Sequence, residues 1–145
     1  MSDTKDKEAK TSQTFEYKED GVKKSIEIKQ WSLGRSGKNL KLFGGILVRA
    51  RKARPELDLD SLMQHIDVLM YEGGEDAILL IRNSFPREMS EETKNHLMDD
   101  VFGLADGVRL LGVIIRLNFL SQAMQEALGS LYEDPEAETE QTGQE

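Results

Sequence analysis

The residues best suited to chemistry lie in one short run, Gln30-Trp31-Ser32-Leu33-Gly34-Arg35-Ser36-Gly37-Lys38-Asn39. Glycines ahead of a lysine are the material of a phosphate-cradling loop, which needs Gly, four residues, then Gly-Lys-Ser/Thr after a buried strand. Aligned on Gly37-Lys38, the first glycine position holds Ser32 and the last hydroxyl position holds Asn39. The preceding Ser25-Ile26-Glu27-Ile28-Lys29-Gln30 alternates polar with apolar residues, as a half-exposed strand does. The run therefore reads as a helix entry, with Ser32 as N-cap and Trp31 packed at the junction as a hydrophobic staple. Gly34 belongs to the same junction, where it weakens the first turn or admits another backbone.

Other chemistry has less material. The chain has no cysteine, so disulfides, thiolate zinc sites and cysteine nucleophiles are excluded together. His65 and His96 fall on different predicted helices, neither with a second ligand at metal spacing. Asp58/Asp60 and Asp99/Asp100 read as caps and solvated faces, and they do not follow a calcium-loop pattern. The expectation is a non-enzymatic protein with no catalytic residue, cofactor or metal.

The elements that would carry any site follow from periodicity. The 145 residues suit a single domain. Residues 1–13 are polar and predict a disordered segment. Over 14–30, alternation around Asp20-Gly21 predicts a β-hairpin, with Phe15 and Tyr17 on one face and Ile26 and Ile28 on another. From 32 to 132 the spacing turns helical, and about five helices follow. The first runs from Ser32 to Pro55 through Leu33, Leu40, Phe43, Leu47 and Ala50. The second starts at an Asp58 or Asp60 cap and ends at Gly73-Gly74, and the third is closed by Pro86. Ser90 caps the fourth, and Asp106-Gly107 breaks it from a long fifth helix reaching Tyr132. The fold class is thus mainly α, a small helical bundle over 32–132 with an N-terminal hairpin and disordered termini. The longest apolar run, Val108 to Leu120, is interrupted by Arg109 and Arg116, which suits a core helix and not a membrane span.

Charge is unevenly spread. The net charge is −8. Glu133 to Glu145 holds five Glu and one Asp with no cation, an acidic tail expected to be disordered. Arg35, Lys38, Lys41, Arg49, Arg51, Lys52 and Arg54 form a basic stretch with no acid between Gln30 and Pro55. Basic residues at a helix end complement its dipole, and the stretch has no interleaved aromatics. A nucleic-acid-binding regulator using the basic helix 35–54 is therefore ranked below a protein-binding face, against which the acidic tail can also fold.

Methionines including Met63 and Met70 lie on or beside apolar helix faces, and methionine suits surfaces that hold varied apolar helices. Phe43, Leu47, Met63 and Met70 are expected to edge an apolar groove, with Arg49 and Arg51 steering acidic flanks of a partner.

A polar hairpin ending in Ile26-Glu27-Ile28-Lys29-Gln30-Trp31-Ser32-Leu33-Gly34, then a small helical bundle and an acidic end, resembles the small tail assembly chaperones of long-tailed bacteriophages. The resemblance covers about Thr14 to Tyr132. It implies binding of the tape-measure protein, contact with tail-tube assembly, room for self-association, residence in the bacterial cytoplasm, and absence from the finished virion. The alternative within the same setting is a structural tail or connector subunit.

Overall fold

The computed structural model describes residues 11–119, Leu59 and Asp60 by backbone only. Most of the segment 1–13, the continuation of the last helix to Tyr132 and the acidic tail fall outside them. The chain forms an antiparallel hairpin, β1 (Ser12–Glu19) and β2 (Val22–Lys29), then α1 (Leu33–Ala53). A 3-10 helix (Leu59–Gln64) leads into α2 (Ile66–Gly73) and α3 (Glu75–Asn83). The order ends with α4 (Glu91–His96), a π-turn (Leu97–Val101) and α5 (Leu104–Phe119). A mainly helical fold with an N-terminal hairpin is what the sequence predicts.

The hairpin turn is set by Asp20 and Gly21, both at positive φ (53° and 79°), the conformation that a two-residue loop of this hand demands. It begins at Ser12, two residues before the expected start. Its register places Phe15 opposite Ile26 and Gln13 opposite Ile28. Cross-strand partners point the same way, so Phe15, Tyr17, Ile26 and Ile28 share one face, contrary to the two faces expected. That face lies on α5 and Phe102. Phe15 and Tyr17 both meet the Phe102 ring edge-on, and the Arg109 guanidinium sits 4.5 Å above the Phe15 ring.

The helices are layered. α5 is the centre, touched by the hairpin on one side and by α2 and α3 on the other, while α1 packs on α2 and α3 from outside. α5 is buried almost all round because Leu110 to Ile115, Leu117 and Phe119 all face neighbours. Two of its glycines receive methionines. A Cβ at Gly107 would stand 3.3 Å from Met70 Cε, and one at Gly112 would stand 3.7 Å from Met63 Cε. On the far side, Gly73 lets α2 approach α1, since its Cβ would be 3.0 Å from Ile46 Cγ1.

Two helix boundaries differ from expectation. The second helix divides at His65 because Asp58 and Ser61 form a reciprocal capping box that tightens the first turn into 3-10 geometry. The fourth helix breaks at Phe102-Gly103 and not at Asp106-Gly107. Asp106 is instead the third residue of α5, and its carboxylate accepts the Gly103 N–H at 3.1 Å, closing the new N-terminus. Trp31 is buried at the strand–helix junction, held from α5 and the end of α3. Its backbone N–H donates to Asn118 Oδ1 at 2.9 Å, its indole N–H to Ser84 Oγ at 2.9 Å, and its ring stands edge-on to Phe119.

The packing roles of the glycines give a paired expectation. Gly73→Ala should destabilise the chain by about 1–3 kcal/mol through overpacking against Ile46 and Ala77. Gly44→Ala, in open space on α1, should stabilise it by up to about 1 kcal/mol. Urea midpoints of the two variants check both signs, and equal shifts would refute the close α1–α2 approach.

Candidate functional site

The Gly34–Lys38 run is not a loop. It occupies the first two turns of α1, where the N–H groups of Arg35 and Ser36 already donate to the Ser32 carbonyl at 3.1 and 3.0 Å. Those amides are therefore not turned outward around a phosphate. Ser32 stands at the N-cap position in extended conformation, but its hydroxyl makes no capping bond. Beside it a cleft of about 140 Å³ is lined by Lys29, Arg35, Phe85, Pro86, Arg87 and Glu88, among others. Burial, and next the Arg87 guanidinium, hold Arg35 below the ordinary arginine range.

The residues expected to edge a groove separate into two groups. Phe43 is buried and stacks on Phe119 at 4.3 Å between ring centroids. Met70 is buried against Gly107, and Met63 is half-buried against Gly112. These three pack into or against the core and hold the layers together. Arg49 is also internal in its work. Its Nε and Nη2 donate to the Glu72 and Gly73 carbonyls at 3.1 Å each, and Nη2 pairs with Asp76 at 2.7 Å. It thus closes the C-terminus of α2 and ties it to α3. Arg51 is exposed, and Leu47 is half-buried at the margin of the core.

What the structure does present is the outer face of α1. The buried side of this helix is Asn39, Phe43, Ile46 and Ala50. On the other side Leu33 is 92% exposed, Leu40 45% and Val48 58%. Leu33, Leu40 and Leu47 recur every seventh residue, as do Gly37, Gly44 and Arg51 beside them. That spacing keeps one seam facing one direction along the helix. Cβ atoms at Gly37 and Gly44 would meet nothing within 4 Å, so the seam is open and shallow. Lys38, Lys41, Arg51, Lys52 and Arg54 are exposed around it, and none makes an ion pair among the described residues. The seam was in part legible, since Leu33, Leu40 and Leu47 were already in the helical spacing. Periodicity alone does not say which side of the helix a neighbour covers.

Titratable clusters elsewhere are structural. No group of three or more metal-ligating side chains occurs among the described residues, and no described helix is long and apolar enough to cross a membrane. His96 Nε2 meets Glu19 Oε2 at 2.6 Å and clasps the hairpin end to α4. Glu19 raises the His96 pKa, helped by Asp100, while His96 and then Lys24 lower that of Glu19.

Comparison with protein-family models, with curated proteins and with solved structures returned no match.

The His96–Glu19 clasp carries a pH signature with two edges. The raised imidazole contributes stability below its unfolded value of about 6.5, and that contribution is lost as pH rises through the folded pKa. The depressed carboxylate contributes above about 4.3, and that is lost as pH falls through its folded pKa. NMR titration should find His96 above about 6.5 and return it toward that value in Glu19→Gln. An unmoved His96 titration in the variant would exclude the contact.

Proposed function

We propose that this chain is a non-enzymatic, helix-binding chaperone of the phage tail-assembly kind, which shields an apolar helical segment of a tape-measure protein before tail polymerisation. The observation that carries the reading is the open apolar seam of α1, Leu33, Leu40, Leu47 and Val48, bordered by Lys38, Lys41, Arg51 and Lys52. A seam of this kind accepts one face of an amphipathic helix, and its cations favour acidic residues flanking that face. In this proposal the groove expected at Phe43, Leu47, Met63 and Met70 gives way to this single-helix surface. Arg51 keeps its steering role, and Arg49 gives its charge to Asp76 and the α2 carbonyls.

The order of parts also supports the reading. The strand–Trp–Ser–Leu–Gly junction that carries the resemblance is the junction that aims α1 outward, through Trp31, Asn118 and Ser84. In this proposal the junction is a support for the binding helix and makes no contact with the partner. The chaperone acts in the cytoplasm of the infected bacterium and is left behind when the tail is complete.

Co-expression with the tape-measure protein of a candidate phage should yield a complex. Leu40→Asp combined with Val48→Asp should weaken it at least about tenfold without loss of helical circular dichroism, given about 1.4 kcal/mol per tenfold. Absence of the complex, or a complex indifferent to the pair, would end the proposal. Recovery of the chain from purified particles in stoichiometric amount would turn it into a structural tail subunit.

A further inference from the structure

The cleft beside Ser32 collects positive charge from three parts of the chain. Lys29 comes from the end of β2, Arg35 from the first turn of α1, and Arg87 from the loop between α3 and α4. None of the three makes an ion pair among the described residues. Arg35 is half-buried, and the like charge acting on it is Arg87. Two guanidiniums around one small cleft, one of them partly out of water, raise each other's cost until an anion joins them. Three cations against the one lining carboxylate, Glu88, leave two positive charges in excess. The neutral polar groups of the wall are divided. Ser84 Oγ accepts the Trp31 indole N–H and donates to the Leu80 carbonyl, and Gln30 Nε2 donates to the Leu117 carbonyl. The Ser32 hydroxyl, by contrast, makes no capping bond. Phe85 and Pro86 supply the apolar part of the wall, where charge is screened less than in water. At about 140 Å³ the cleft is smaller than the roughly 300–1,000 Å³ of pockets for drug-sized ligands, so it suits one small anion.

We propose that this cleft binds one phosphate dianion, free or as the phosphate group of an ester, through Arg35, Arg87 and Lys29 with the Ser32 hydroxyl as a further donor. The excess of two positive charges matches a dianion, whereas a carboxylate brings one. Guanidinium forks fit phosphate oxygens, and a phosphate group offers three of them to cations arriving from three elements. The start of α1 adds the positive end of its dipole on the Ser32 side. This is not a glycine-loop site, because side chains hold the anion while the Arg35 and Ser36 amides stay bonded to the Ser32 carbonyl. A bound dianion joins the end of β2, the first turn of α1 and the α3–α4 loop, and it stabilises the fold by mass action. The site is independent of the partner assigned to the outer face of α1.

Titration of the full ¹⁵N-labelled chain with inorganic phosphate tests it, at about pH 8, where the phosphate is a dianion, and at fixed ionic strength. Amide NMR shifts of Lys29, Ser32, Arg35 and Arg87 should saturate together with a Kd of about 1 mM or tighter. Arg35→Gln and, separately, Arg87→Gln should each weaken binding at least about tenfold. Arg87 is exposed, so its variant decides the matter even where Arg35→Gln fails to fold. Lys41→Gln, outside the cleft, should leave binding unchanged. Phenyl phosphate separates the two sources. Binding equal to or tighter than that of inorganic phosphate assigns an ester-borne group, and weaker binding assigns the free ion. Acetate binding as tightly as phosphate, shifts centred on Lys38, Lys41 and Lys52, or no saturation by about 10 mM would each overturn the proposal. So would binding indifferent to the Arg87 variant. No tape-measure protein enters this experiment, so its failure is distinct from failure of the chaperone reading.

Discussion

One buried hydrogen bond orders the rest of the molecule, the Trp31 backbone N–H to Asn118 Oδ1. It joins residues 87 positions apart and fixes the point where strand β2 gives way to α1. Asn118 is 2% exposed, and its amide nitrogen donates to the Ile114 carbonyl, so both ends of the side chain are used. Gln30 adds a bond to the Leu117 carbonyl, and the Trp31 indole adds one to Ser84 at the end of α3. Loss of the Asn118 acceptor would leave a buried donor unpaired, at a cost of about 1–3 kcal/mol. Since only Ser32 separates Trp31 from α1, the clamp also sets the direction in which α1 leaves.

The outward position of α1 follows from that clamp together with the layering. α5 needs neighbours all round, and the hairpin, α2 and α3 supply them. Met70 and Met63 lie over Gly107 and Gly112, which brings α2 and the 3-10 helix close to α5. The layer they form is then covered by α1, through Phe43, Ile46 and Ala50. Nothing among the described helices covers α1 in turn. Single exposed apolar residues are ordinary, but α1 alone carries three of them, Leu33, Leu40 and Val48, away from its buried side.

Much of this was legible in the sequence where a single residue type dictates backbone geometry. Asp20-Gly21 gave the turn and Ser90 the α4 cap, which receives the Thr93 N–H at 3.1 Å. What periodicity lacked was the identity of the neighbour. Phe43, Met63 and Met70 have the spacing of a surface stripe and of a core stripe alike, and tertiary contacts made them core. Asp106-Gly107 read as a break because both residues tolerate unusual backbone angles. Inside α5 the aspartate serves the N-terminus, and the glycine makes room for Met70. The Trp31–Asn118 bond could not be read at all, since no local rule links residues so far apart.

Under the proposed function, the same contacts favour a protein partner over a nucleic acid. Read in line, Arg49, Arg51, Lys52 and Arg54 are a basic cluster suited to phosphates. Folded, Arg49 is turned to Asp76 and to two carbonyls of α2, and the remaining cations are distributed around a seam of leucine and valine. A nucleic-acid backbone presents closely spaced charges that favour a cation at each contact. Set along this seam, its phosphates would lose water against Leu33, Leu40 and Val48 with nothing to replace it. An amphipathic acidic helix loses only apolar surface there and keeps its carboxylates beside Lys38, Lys41 and Lys52. The arrangement of charge relative to apolar surface, and not the number of cations, is what favours the protein partner.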